Sequence, residues 1–355
     1  MQVPETEIIV TKDGAVPIAS HAYPGNRPDV TQFQHVVTEL TERYASIAKP
    51  GDELTLVYDA GQGTVANHEF MDESPLHFVG SLRPFDHPDL LAVAKRRYRT
   101  VDEKRFPGLR AFESRVTVFG HERRIVVTHS QRLHDKQVAG FAQTLAKARR
   151  QLAAITARLA RGKGRKSKEA VAAEIASVLA PRWLDQVVST TLHGEAPSEL
   201  RLVWRTKPKA MTELEDEIFG KRILVTDRED WSIAQVVAGY RSQWNVEADF
   251  RQMKDPKVVS FSPMFHWTDQ KIRVHVTHCV LALMTARLMV REAAQAKMAM
   301  SVRELLATLG GIEETVLLYQ GDRGRPRARR MLTEMTPTQQ RLYDLFDLDA
   351  YAPTR

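Results

Sequence analysis

The chain has 355 residues, one cysteine, and 51 lysines and arginines against 44 aspartates and glutamates, a formal charge of +7 at neutral pH. A single cysteine excludes a disulfide framework or a thiolate zinc cluster within the chain, and residues 1–17 lack the basic start and apolar run of a secretory signal. The length allows one large domain with an insertion or two domains, and the moderate positive excess permits a polyanionic partner without requiring one.

Residues 6–11 and 16–23 read as strands joined by the Asp13-Gly14 turn, a hairpin that needs a third element to lean on. A turn at Pro24-Gly25-Asn26 and a capping Asp29 lead into a helix with Val30, Phe33, Val36, Val37, Leu40 and Tyr44 on its apolar face. The strand over residues 53–58 ends in Asp59-Ala60-Gly61-Gln62-Gly63-Thr64, which places a carboxylate where open α/β sheets hold ligands. Asp59 has two readings at this point, plain turn chemistry or a metal-binding carboxylate. A short helix at 64–71 and a strand at 77–82 complete the order of a mixed α/β sheet.

From Arg83 the pattern changes. Lys95, Arg96, Arg97 and Arg99 surround Tyr98, forming either a surface that neutralises phosphates or a solvated charge run. Residues 114–119 and 123–128 read as a hairpin about Gly120-His121-Glu122. Val138, Phe141, Leu145, Ala148, Leu152, Ile155 and Leu159 then recur at helical spacing, Arg161-Gly162-Lys163-Gly164-Arg165-Lys166 makes a basic turn, and Val171, Ile175 and Val178 mark a second helix. Residues 138–178 are therefore expected to form an intramolecular helical arm. Strands at 200–206 and 221–226 follow. This organisation divides the chain into an α/β domain in two parts, 1–84 and 221–300, an insertion at 85–220, and a helical extension at 301–355 whose residues 321–330 read as a basic loop.

The densest chemistry lies between Tyr240 and Lys254. One helix running from Ile233 to Lys254 is expected, with Trp244, Val246 and Phe250 in its buried stripe and Gln243, Glu247, Arg251 and Lys254 in a row beside it. The row is either a solvated face or a carboxylate that holds a metal while its flanking cations take a phosphate backbone. The apolar helix that follows is expected to be buried almost throughout, with His275, His278 and Cys279 as core groups. No dinucleotide or P-loop glycine motif, zinc-protease pair or nucleophile elbow occurs, which leaves a carboxylate site.

Tyr240, Glu247 and Lys254 resemble the Tyr-Arg-Glu-Lys signature of DDE transposases from bacterial insertion sequences, with Gln243 in the Arg position and Arg241 or Arg251 beside it to supply charge. The strand ending in Asp59 is similar to the one that carries the second catalytic Asp of that family, and Gly80-Ser81-Leu82-Arg83-Pro84 is also similar to a segment of the group. The resemblance runs from the first strand to about Leu288. It implies a ribonuclease-H-like mixed sheet with flanking helices, interrupted by the β-hairpin and helical-arm insertion. That sheet would lack its first strand and first catalytic Asp, as in an amino-terminally truncated chain.

The resemblance also implies DNA cleavage and strand transfer with Mg²⁺ or Mn²⁺ held by acids, here Asp59 and Glu247. Tyr240, Arg241, Gln243, Arg251, Lys254 and the cluster Lys95, Arg96, Arg97 and Arg99 would contact double-stranded DNA, on which a homodimer is an option. A bacterial cytoplasmic location without membrane attachment is expected. With two of three acids the expected chain is catalytically impaired; a related nuclease and a non-catalytic DNA-binding remnant are the alternatives.

Overall fold

The computed structural model describes residues 4–24, 29–45, 53–162, 165–320 and 326–351. The expected turn at Gly25-Asn26, the Lys163-Gly164 tip and residues 321–325 lie outside the described residues. In chain order the elements are β1 (Pro4–Val10), β2 (Pro17–Pro24), α1 (Asp29–Ala45), β3 (Thr55–Val57), α2 (Val65–Glu73), β4 (His77–Leu82), α3 (Pro88–Leu91), β5 (Arg99–Thr100), β6 (Leu109–Val118) and β7 (His121–Ser130). There follow α4 (Gln131–Ala160), α5 (Lys168–Leu179), α6 (Leu184–Val187), β8 (Val188–His193), β9 (Arg201–Thr206), α7 (Pro208–Glu213), a π-helical turn Leu214–Ile218 and β10 (Lys221–Thr226). The last are α8 (Ile233–Arg241), α9 (Trp244–Lys254), α10 (Asp269–Gln295), α11 (Val302–Gly310), β11 (Glu314–Gln320), β12 (Pro326–Leu332) and α12 (Pro337–Leu345). The class is α/β, as expected. The elements group into two compact units, one of Met1–Val57, Thr64–Leu76 and Arg241–Arg355, the other of Tyr58–Gly63 and His77–Tyr240.

In the second unit β10 lies antiparallel between β4 and β7, Val225 facing Gly80 on one side and Ile125 on the other. Neighbours on both edges and cover on both faces bury Ile223, Leu224 and Val225 to 2% or less. That is why this stretch reads as an unbroken apolar run instead of an alternating one. β7 pairs with β6, and β6 with β5, so residues 85–220 contribute strands to the same sheet as β4 and β10.

The helical arm is present in this unit. Phe141, Leu145, Ala148, Leu152, Ile155 and Leu159 of α4 are buried at the spacing read from the sequence. They pack with Val171 and Ile175 of α5 and with Leu184, Val187, Leu200 and Phe219, so the arm closes over the β8–β9 hairpin. β8 has no sequence signal, because its Ser189, Thr190, Thr191 and Leu192 are half-buried or exposed and burial imposes no alternation on them. Arg158 of α4 binds Glu174 of α5 through two hydrogen bonds of 2.9 and 2.8 Å, and Lys166 joins the same carboxylate at 2.9 Å.

In the first unit β1 and β2 form a two-stranded sheet of their own, with Ile8 opposite Ser20. The expectation that this hairpin belongs to a larger mixed sheet is corrected, because helices cover it instead. Ile8 joins Met253 of α9 and Val276, Cys279, Val280 and Leu283 of α10 in one core, while Phe33, Val36, Val37 and Leu40 of α1 are buried as the helical spacing requires. A second small core brings together Ala293, Met298, Leu305 and Leu342 from α10, α11, α12 and their connections. Thr336 starts α12 with a capping box shared with Gln339, the Thr-Pro start expected there.

Three further expectations are corrected. The helix expected from Ile233 to Lys254 is interrupted at Ser242-Gln243, where Asn245 and Val246 donate to the carbonyls three residues back instead of four. α10 is long and apolar enough to cross a membrane by length and composition, but it is not buried throughout, since Val274, Leu281 and Leu288 are all more than 40% exposed. Its apolar content exceeds what one face needs, and a linear reading of hydropathy cannot separate the faces. Residues 326–332, expected within a basic loop and helical extension, form strand β12 paired with β11.

The arm carries a pH-dependent contact. Hydrogen bonds from Arg158 and then Lys166 hold the Glu174 carboxyl down to about 2 from its ordinary 4.5. A depressed acid stabilises the fold fully above the unfolded value and loses that contribution as the pH falls through the folded one. Glu174→Gln should therefore lower stability by about 1 kcal/mol at neutral pH, a figure limited by solvent screening of a part-exposed pair. Urea midpoints of the two proteins should differ at neutral pH and converge as the pH is carried down from 4.5 toward about 2.

Candidate active site

Asp59 follows immediately on a residue locked to β4. The Tyr58 amide donates to the Val79 carbonyl at 3.1 Å, and the Tyr58 ring lies over Gly80 so closely that a Cβ there would stand 2.5 Å from a ring carbon. Glycine inside a strand marks such a close approach of another group. The chain then turns, and Asp59 caps the short turn Ala60–Gln62, its Oδ1 accepting from the Ala60 amide at 2.7 Å. The Ser81 hydroxyl reaches the same oxygen at 3.3 Å. Among the described residues Oδ2 accepts no hydrogen bond, and the residue is exposed.

Ser81 is itself held from the other side. The Tyr240 hydroxyl, 7% exposed as a residue, donates to Ser81 Oγ at 3.0 Å, which makes a chain Tyr240–Ser81–Asp59. Burial pushes the Tyr240 hydroxyl up, Ser81 opposes this, and the Asp59 charge adds to it. The phenol is thus a permanent donor at neutral pH. Arg222 sits over its ring at 5.6 Å. Tyr240, expected on DNA, therefore has its hydroxyl turned into this chain of hydrogen bonds.

The remaining signature residues lie in the other unit, on α9. Its fully buried residues are Asn245, Asp249 and Met253; of the expected apolar stripe, Val246 and Phe250 are half-buried and pack against the core, while Trp244 is 62% exposed. The physical reason is an ion pair. Asp249 is fully buried and accepts from Arg287 Nε of α10 at 2.6 Å, with a second contact from Nη2. Burial pushes the Asp249 carboxyl up and Arg287 opposes it.

Turning Asp249 inward turns Glu247, Arg251 and Lys254 outward, and all three are exposed along one side of the helix. Arg251 Nε donates to the Glu247 carbonyl at 3.3 Å, and the Glu247 carboxylate makes no ion pair or hydrogen bond among the described residues. Gln243 stands just before α9 and is half-buried; Arg241 is exposed. In the second unit Lys95, Arg96, Arg97 and Arg99 are all exposed around the buried Tyr98, and Arg97 lies over the Phe112 ring at 5.8 Å.

Sequence reasoning overlooked the roles of Gly80, Ser81 and Asp249. A glycine and a serine inside an otherwise apolar strand were the available signal for the first two. For Asp249 the signal was a carboxylate four residues from Asn245 and Met253, on what becomes the buried side.

The chain is thus an α/β protein with a carboxylate held at a strand end and cations displayed on a helix. The family model described as transposase DDE domain matches residues 6–258, and the chain belongs to the DDE transposase family. No curated protein and no solved structure matches it. Membership implies DNA transposition and DNA as partner, and the family generally uses divalent metal ions. Asp59 fits such an ion as one ligand through its open Oδ2. Among the described residues, however, no three His, Cys, Asp or Glu side chains gather to complete a site.

Two substitutions test this architecture. Asp249→Ala removes the partner of the part-buried Arg287 and should cost about 1–3 kcal/mol in urea unfolding, with Asp249→Asn costing less because it still accepts a hydrogen bond. Gly80→Ala drives a methyl into the Tyr58 ring and should cost about 1–3 kcal/mol, measured the same way.

Proposed function

We propose that this protein binds duplex DNA and that Asp59 and Glu247 are the carboxylates its family would use in DNA cleavage and strand transfer, as in the movement of an insertion sequence. The observation that carries the reading is Asp59, a strand-end carboxylate pinned through one oxygen and open at the other, within the matched transposase domain. Tyr240 is a positioning residue. Its buried, protonated hydroxyl orients Ser81, and Ser81 restrains the Asp59 rotamer.

The exposed side of α9 suits a phosphate backbone. Arg251 and Lys254 present cations there without a competing carboxylate bridge, and Lys95, Arg96, Arg97 and Arg99 offer a second phosphate-binding surface. With Asp59 as a single ligand in its unit and no completed ligand set among the described residues, no chemical step is assigned through Mg²⁺ or Mn²⁺. The chain is read as a DNA-binding member of the family whose own cleavage and joining activity is impaired, since Asp59 and Glu247 are two acids where the family's chemistry calls for three.

Labelled duplex DNA incubated with the purified chain tests this. Binding should weaken steeply with salt, Asp59→Ala should leave it unchanged, and little cleaved or joined product should form in Mg²⁺ or Mn²⁺. Robust metal-dependent cleavage abolished by Asp59→Ala or Glu247→Ala would overturn the impairment. No binding to duplex DNA would overturn the reading as a whole.

A further inference from the structure

Between α11 and α12 the chain forms the antiparallel ribbon β11–β12, a sheet of its own. Its register sets Leu317 opposite Arg329, Tyr319 opposite Arg327, Leu318 opposite Ala328 and Val316 opposite Arg330. Opposed residues share a face and successive pairs alternate. One face therefore takes Leu317, Arg329 and Tyr319, the other Leu318, Ala328, Val316 and Arg330. Every residue of β11 is exposed, Leu318 at 74% and Tyr319 at 50%. A lone two-stranded ribbon is marginal in water, and apolar groups standing out on both faces belong to an element that something covers when the protein works.

Charge decides what covers it. Residues 323–330 include Arg323, Arg325, Arg327, Arg329 and Arg330, against Glu314 and Asp322 as the only acids from 314 to 332. Glu314 is already taken up by Arg330 at 3.4 Å. Arg329 has no ion pair or hydrogen bond among the described residues. A second copy of the ribbon would set arginine against arginine, whereas a polyanion complements it. A two-stranded antiparallel ribbon has the width that the DNA major groove admits, and arginine pairs with both phosphate oxygens and guanine edges. The ribbon also lies beyond residue 258, where the transposase-domain match ends, so it is not part of the shared domain.

We propose that β11–β12 is a duplex-DNA contact surface, with Arg329 and the arginines near it in sequence taking phosphates and Leu317 and Tyr319 lying against the groove. The proposal rests on the DNA-binding reading above and names a surface that reading does not use. The test compares the full chain with an Arg327→Ala/Arg329→Ala variant by fluorescence anisotropy on a labelled duplex across a salt series. The variant should bind about tenfold more weakly at about 0.1 M salt, and its plot of log affinity against log salt should be shallower by about two. In the unaltered chain, backbone amides of 314–320 and 326–332 should exchange more slowly once duplex is added; this readout decides the matter if the variant fails to fold.

Equal affinity and slope in both proteins, with unchanged exchange in the ribbon, would overturn the proposal and leave the DNA-binding reading standing. Failure of the unaltered chain to bind duplex would overturn both. Loss of a dimer by the variant in sedimentation, with DNA binding intact, would reassign the ribbon to self-association and overturn the proposal.

Discussion

The ring of Tyr58 occupies the space that a side chain at residue 80 would need, and the geometry around Asp59 depends on that one contact. It brings the segment before Asp59 against β4, lets the Tyr58 amide reach Val79, and so fixes where the strand gives way to the turn. Ser81, the next residue along β4, then lies within reach of Asp59 Oδ1, and Tyr240 of α8 closes the chain from beyond it. α8 approaches β4 closely too: a Cβ on Gly239 would meet Trp231 at 3.0 Å and Val79 at 3.9 Å. Small residues at 80 and 239 thus let two neighbouring elements press against one strand. The placement of the carboxylate follows from packing, and the polar contacts refine it.

A different force sets α9. An ion pair taken out of water recovers little net stability, because desolvation offsets the Coulomb attraction, but it permits one arrangement and penalises others. Asp249 can be fully buried only where Arg287 meets it, so the rotation of α9 about its axis is specified by that pair. Asn245 and Met253 share the inward side, while Trp244, apolar by composition, is left in solvent. Val246 and Phe250 pack at the edge of that side, and the signature row is left outward.

The elements legible in the sequence are those whose pattern is imposed by burial on one or both sides. The seam of α4, the apolar run of β10 and the β1–β2 hairpin all have covered faces, and periodicity reports cover. β8, β12 and the rotation of α9 escape for the converse reason, since exposed or polar residues occupy the positions that decide them. Asp59 stood out because its local string of strand, acid and glycines is contiguous. Its partners did not, since Ser81 lies 22 residues from Asp59 and 159 from Tyr240, distances across which a sequence shows residue types but not contacts.

The family match ends at residue 258, yet the folding unit around α9 does not. Ile8 and Met253, inside the matched stretch, complete their core with Val276, Cys279, Val280 and Leu283 of α10, outside it. β1–β2, too small to stand alone, borrows its third element from beyond that boundary. The residues after 258 therefore serve two purposes. α10 supplies core and the Arg287 that orients α9, and α11 and α12 close the far end of α10 through Leu305 and Leu342. Among the described residues β11–β12 contributes no buried side chain, so selection for folding does not account for it and its composition is free to answer to a partner.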